Sequence, residues 1–161
     1  MSILVRHAMT ESPQTAKPDM TAADAAGLMR QLDVGVVPVA EQGKLVGLVT
    51  DRDIVLRVVA GRQNPDQVPL SEILTRSPVT VTPDMKLSEA RELMARHRVR
   101  RLPVMKGDEL VGILSLGDVA LADASGREVG EALEGISASD STTGQAGGPD
   151  RGTPDRVQKA G

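Results

Sequence analysis

A chain of 161 residues, 40% hydrophobic and 25% charged, has the size and make-up of one ordinary globular domain or two very small ones, which excludes a multi-domain enzyme or a long repeat array. Its net charge of −3 lacks the basic excess of a nucleic-acid binder, and zero Cys with two His leave no disulfide, no thiolate chemistry and no ready zinc or haem centre. The absence of Phe, Tyr and Trp removes aromatic stacking platforms and cation cages, so a ring-shaped ligand must lie between aliphatic side chains.

At the N-terminus, Met1 to His7 offers one apolar triplet followed by charge, unlike a secretory signal, and no apolar run reaches the roughly 18 to 20 residues of a membrane span. A cytoplasmic protein with no membrane partner is expected. The chain then repeats itself. A shift of 65 places Thr10, Ser12, Pro13 and Thr15 on Thr75, Ser77, Pro78 and Thr80, Pro18-Asp19-Met20 on Pro83-Asp84-Met85, and Leu45-Val46-Gly47 on Leu110-Val111-Gly112, with no gap.

Each copy predicts the same elements in order. A short extended piece around Thr15 or Thr80 stops at Pro18 or Pro83, where the ring blocks further ladder pairing. Helical spacing follows in Ala22, Ala25, Met29 and Leu32, and again in Leu87, Ala90, Leu93, Met94 and His97, which puts His97 on a packed or capping face. Two short β-branched runs come next, Val36 to Val39 and Leu45 to Val49, joined across Glu41-Gln42-Gly43-Lys44; the second copy uses Leu102 to Met105, Lys106-Gly107-Asp108-Glu109 and Leu110 to Leu114. A closing helix carries Ile54, Val55, Val58 and Val59 in one copy and Val119, Ala120 and Leu121 in the other. About fifty residues are too few to bury a good core alone, so the two copies are expected to pack sheet to sheet.

The expected organisation is therefore α/β (α+β), two pseudosymmetric β-α-β-β-α repeats over 2–61 and 70–126 joined by a linker at 62–69, with Pro69 to Leu74 a short helix mirroring Val5 to Met9. A helical extension at 127–138 and a Ser-, Thr-, Gly- and Pro-rich disordered tail at 139–161 complete it.

Two segments carry chemistry: Gly47-Leu48-Val49-Thr50-Asp51-Arg52-Asp53 and Gly112-Ile113-Leu114-Ser115-Leu116-Gly117-Asp118, both G-x-x-[ST]-x-x-D where a strand runs into a helix. Hydroxyl and carboxylate three apart make a capping box. Alternatively the carboxylate accepts hydrogen bonds from vicinal ribose hydroxyls while the Gly lets backbone approach the ligand, and the two roles compete for one carboxylate. Gly117 could admit closer backbone approach where Arg52 stands in the other copy. Asp51 beside Asp53 reads as helix-dipole stabilisation, and Lys17 as a solvated charge. The basic run from Arg96 to Arg101 crosses a helix end into a strand, which weakens a nucleic-acid reading. No phosphate loop, dinucleotide fingerprint or nucleophile elbow is present, so no enzyme and no catalytic residue is expected.

On the doubled G-x-x-[ST]-x-x-D, the Pro-Val of each middle strand and the Leu-Val-Gly of each third strand, residues 2–126 resemble a tandem pair of cystathionine β-synthase (CBS) domains, a Bateman module. The resemblance implies two clefts between the repeats that bind AMP, ADP, ATP or S-adenosylmethionine as a regulatory ligand, with no metal and no required cofactor. It implies ribose on Asp53 and Asp118 with help from Thr50 and Ser115, and the adenine edge read by backbone around Val36-Val37 and Arg101-Leu102. The nucleotide-binding set extends to Thr15 and Thr80, Pro38 and Pro103, and Arg52. Arg100-Arg101-Leu102-Pro103 resembles the segment whose cations meet phosphate, whereas Gly35-Val36-Val37-Pro38 has none, so the clefts are expected to differ. The expected protein is a stand-alone regulatory pair, a homodimer by resemblance, that signals through shape or association to an unidentified effector protein. The alternatives are a structural interaction module without ligand and, further off, a nucleic-acid binder.

Overall fold

The computed structural model describes residues 2–126; the extension at 127–138 and the tail at 139–161 lie outside the described residues. In chain order the elements are β1 (Thr10–Glu11), α1 (Ala22–Leu32), β2 (Val36–Glu41), β3 (Lys44–Thr50), α2 (Asp51–Asp53), α3 (Leu70–Ile73), β4 (Thr75–Arg76), α4 (Leu87–His97), β5 (Arg101–Lys106), β6 (Glu109–Ser115) and α5 (residues 116–126). A 3₁₀ turn, Val5–His7, precedes β1, and a π-helical stretch, Ile54–Val59, continues α2.

Local sequence sets the ends of the two long helices. Thr21 caps α1: its hydroxyl accepts from the Asp24 N–H at 3.2 Å, and its own N–H donates to Asp24 Oδ2 at 2.9 Å. Both helices stop at a left-handed residue, Asp33 (φ 54°) and Arg98 (φ 54°). The next N–H then reaches back, Val34 to the Met29 carbonyl and Val99 to the Met94 carbonyl, both at 3.0 Å, which closes a Schellman turn. Ala22, Ala25 and Met29 of α1 and Leu87, Ala90 and Met94 of α4 are buried, as their spacing predicts. His97 departs from that face and is exposed, because the chain unwinds one residue later.

Each hairpin turns on two residues, Gln42-Gly43 between Glu41 and Lys44, and Gly107-Asp108 between Lys106 and Glu109. Gln42 and Gly43 both take positive φ (51° and 77°), as a type I′ turn requires; in the second copy Gly107 does so (φ 61°), the position where a type II′ turn needs glycine.

The sheets contain strands from both copies. One has the order β2-β3-β4 and the other β1-β6-β5. Strand β4, at the start of the second copy, pairs with β3 (Gly47 with Arg76, Leu48 with Thr75), and β1, at the start of the first, pairs with β6 (Thr10 with Ile113, Glu11 with Gly112). The extended pieces expected around Thr15 and Thr80 form single parallel bridges to their own repeat instead, Ala16 to Val39 and Val81 to Val104.

The cores follow the same exchange. Val68, Leu70, Ile73 and Leu74 close the first repeat's core against Ala25, Met29, Val39, Val49 and Val58. Val5 enters the second repeat's core beside Leu87, Met94, Leu102, Val104, Leu114 and Val119. Each fully buried Val or Leu contributes about 1.5 to 3 kcal/mol. Backbone bonds fix the swap: the Val5 N–H donates to the Met85 carbonyl (2.9 Å), and the Leu70 N–H to the Met20 carbonyl (2.8 Å). A smaller cluster, Val36, Leu48 and Ile113, joins the two sheets face to face.

The closing helices bury less than their apolar content suggests. Val58 and Val119 turn inward, but Val55 and Leu56 are 53% exposed, Val59 65% and Leu121 71%. In the first copy the bonds reach five residues back, Ala60 N–H to the Val55 carbonyl and Gln63 N–H to the Val58 carbonyl, so the turn is wider than an α-helix and fewer side chains share its inner face.

Candidate functional site

The doubled motif first makes two capping boxes. Thr50 Oγ1 accepts from the Asp53 N–H at 3.1 Å, and the Thr50 N–H donates to Asp53 Oδ2 at 2.9 Å; Ser115 and Asp118 repeat this at 3.1 and 2.8 Å. Each carboxylate is half-buried and commits Oδ2 to the cap. Among the described residues Oδ1 of neither Asp is hydrogen-bonded, so capping leaves one acceptor free on each of two carboxylates that line the clefts.

The motif's glycines serve the strand exchange, not ligand approach as expected. A methyl on Gly47 would collide with the Thr75 carbonyl oxygen and lie 2.7 Å from Leu74 Cδ1. On Gly112 it would lie 2.7 Å from Met9 Sδ and 3.0 Å from the Thr10 carbonyl oxygen. Bare Cα positions let β4 and β1 lie against β3 and β6. Gly117 has no such duty, since a methyl there meets nothing closer than Ser115 Oγ at 3.6 Å.

Strand exchange creates two related clefts. The larger, about 1170 Å³, is lined by Leu48, Thr50, Asp53 and the start of the closing helix on one side, and by Thr75, Ser77 to Val79 and His97 to Arg101 on the other. The smaller, about 510 Å³, is lined by the equivalent Ile113, Ser115 and Asp118, with Thr10 to Gln14, Leu32 to Val36, Pro38 and Arg101. Both walls of each cleft therefore come from different repeats.

Their charges are opposite. Arg52, Arg98, Arg100 and Arg101 face the larger cleft against Asp51 and Asp53, whereas Glu11, Asp33 and Asp118 face the smaller against Arg101. We call them the basic and the acidic cleft. Arg101, half-buried, lines both. It gains that reach because Gly35, the counterpart of Arg100, has no side chain; a methyl there would sit 2.5 Å from Arg101 Nη2.

Of the residues expected from sequence, Thr50, Arg52, Asp53, Arg100 and Arg101 line the basic cleft, and Val36, Pro38, Arg101, Ser115 and Asp118 the acidic one. Val37, Leu102 and Pro103 are buried in the cores, and Thr15 and Thr80 stand exposed outside both linings. Lys17 lines neither cleft. Sequence reasoning missed Arg98, which follows α4 in a left-handed conformation and lines the larger cleft, and Ser12, Ser77, Pro13 and Pro78, which the repeat alignment had marked but without a role. Among the described residues no cluster of His, Asp and Glu could hold a metal ion, and no helix is long and apolar enough to cross a membrane.

A doubled α/β repeat that builds two clefts at the seam between its copies is a class of module in itself. The family model for the CBS domain matches it twice, over residues 5–60 and 70–125. The chain belongs to the CBS domain family. It is similar to the CBS domain-containing protein YhcV of Bacillus subtilis, with 46% identity over 134 residues that cover 83% of this chain and 94% of that protein. Among solved structures, a hexameric CBS-CP12 protein from bloom-forming cyanobacteria shares 32% identity at a TM-score of 0.70, covering 75% of this chain and 72% of that one. Hypoxic Response Protein I, whose structure holds two coordinated zinc ions, shares 30% identity at a TM-score of 0.67, over 73% of this chain and 97% of that one. As a CBS pair the chain falls among regulatory and signalling proteins, and its two sheets and helices match those of its structural neighbours.

Proposed function

We propose that this chain is a non-enzymatic sensor that binds a phosphorylated adenosine ligand in the basic cleft and passes the result to a partner by a change of shape or association. The observation that carries this reading is the convergence of Arg98, Arg100 and Arg101 from one repeat with Thr50 and Asp53 from the other. Arginine forks suit phosphate oxygens. Asp53 Oδ1 is the acceptor for a vicinal diol while Oδ2 stays in the cap, so capping and ribose binding coexist. Adenine packs on aliphatic surface, Leu48 and Val79, in a protein without aromatics. Asp118 and Ser115 play the same part in the acidic cleft for a ligand with less negative charge, the S-adenosylmethionine type among them.

A ligand shifts such a module only by its differential affinity for two arrangements; at a hundredfold excess over Kd it stabilises the competent one by about 2.7 kcal/mol. The exposed Val59 and Leu121 give the closing helices apolar surface that a second copy would cover in a homodimer. A cytoplasmic home fits the lack of Cys.

A chain without Trp, Tyr or Cys makes the test direct, because a co-purified nucleotide dominates the near-ultraviolet spectrum. An adenine band that leaves on denaturation and is identified by mass spectrometry supports the reading. A chain that carries no such band and binds none of AMP, ATP and S-adenosylmethionine on titration leaves the second reading, a ligand-free interaction module, which the capping boxes favour by being complete in themselves.

A further inference from the structure

Among the described residues Arg101 is the one cation that lines the acidic cleft, and it lines the basic cleft as well. Its guanidinium lies over Gly35, where a methyl would come within 2.5 Å of Nη2 and 3.3 Å of Cζ, and 3.0 Å from Asp51 Oδ2. The ion pairs among the described residues, Arg6 with Asp84 and Arg91 with Asp123, leave it out. It is held by position rather than by a partner, and its planar fork can close on one phosphate at a time. When Arg101 is drawn to one side the two clefts fare differently. Among the described residues the basic cleft still has Arg52, Arg98 and Arg100, while the acidic cleft meets an anion with Glu11, Asp33 and Asp118 and no cation.

From this geometry we propose that Arg101 couples the two clefts: a phosphorylated ligand in either one recruits the shared guanidinium and weakens anion binding in the other. The inference rests on the reading of the clefts as nucleotide sites and adds which residue links them, and with which sign. By linkage the coupling factor is the same in both directions. The order of filling is not symmetric, since the basic cleft has cations to spare and fills first. A ligand without phosphate in the acidic cleft makes no demand on Arg101 and escapes the penalty.

The test is calorimetric titration of AMP into the full chain. Arg52→Glu, Arg98→Glu and Arg100→Glu together turn the basic cleft acidic, leave the Thr50–Asp53 cap intact, and read the acidic cleft alone. We expect the second AMP to bind wild type about tenfold more weakly than AMP binds this variant, inside the roughly 5- to 150-fold span of site-to-site coupling. Arg101→Ala should abolish the difference. Gly35→Ala should abolish it too while retaining the charge, because the added methyl occupies the guanidinium's seat; circular dichroism establishes that each variant is folded. Adenosine titrated into AMP-loaded protein should enter the acidic cleft unpenalised. A wild-type isotherm equal to the sum of independent clefts, a penalty that survives Arg101→Ala, or an acidic cleft that takes no AMP even alone would each overturn the coupling. Failure of wild type to bind any AMP is a different result, which removes the nucleotide reading itself and the coupling with it.

Discussion

Gly47→Ala is the substitution in which fold and cleft meet most sharply. The added methyl would overlap the Thr75 carbonyl oxygen and press on Leu74 Cδ1, and the first of these is backbone, which cannot rotate away. Strand β4 has two paired residues, Thr75 and Arg76, so little ladder resists its displacement. Overpacking of this kind costs about 1 to 3 kcal/mol. At about 3 to 5 °C per kcal/mol for a domain of this size, Tm should fall by roughly 3 to 15 °C. Displacing Thr75 also moves Ser77 to Val79, one wall of the basic cleft, so the loss of stability should be accompanied by weaker AMP binding there. Differential scanning calorimetry with and without AMP reads both effects. The control is Gly27→Ala inside α1, where a methyl meets nothing within 4 Å; helix propensity predicts a gain of about 0.5 to 1 kcal/mol. If Gly47→Ala melted with or above wild type, β4 would not be locked against β3, and the account of the glycine as a crossing point would be wrong.

Three further outcomes follow from the same geometry. Asp53→Ala and Asp118→Ala should each lower stability by about 0.5 to 2 kcal/mol by opening a capping box, measured by thermal melts; Asp53→Ala should in addition weaken AMP binding by about 1.5 to 3 kcal/mol through loss of a charged acceptor, and equal AMP affinity would confine Asp53 to the cap. Asp33→Gly, at the left-handed end of α1 (φ 54°), should leave stability unchanged or raise it by up to about 1 kcal/mol, because glycine takes that conformation without strain; a clear fall in Tm would contradict the Schellman reading. Arg98→Glu should weaken AMP binding in calorimetric titration by about tenfold or more while leaving Tm near wild type, since Arg98 is exposed and faces the cleft; an unchanged Kd would take it out of the site.

Much of this architecture is readable from periodicity. The 65-residue repeat, both long helices and both hairpins rest on patterns several residues long, and burial enforced them: Ala22, Ala25 and Met29 had to face one way whatever their neighbours did. Strand exchange was not readable. Thr10-Glu11 and Thr75-Arg76 are two residues each, too short to show alternation, and nothing in Pro13 or Pro78 says which sheet the chain has just left. The role of Gly47 was misread for the same reason, since its close neighbour is a strand from the other copy. Charge was legible residue by residue but not cleft by cleft. Arg98 and Asp33 occupy equivalent helix ends, and only the fold places them at opposite clefts and sets Arg101 between the two. The closing helices mislead by composition: Val55, Leu56 and Val59 look like core and stay at the surface.

The basic cleft, walled by both repeats, is proposed as an anion-selective adenosine site. Calorimetric titration of AMP into wild type and into Arg100→Ala combined with Arg101→Ala tests it most directly. Wild type should bind saturably and the variant should lose at least about tenfold, with adenosine far less affected than AMP. Equal AMP affinity in the two proteins would contradict it.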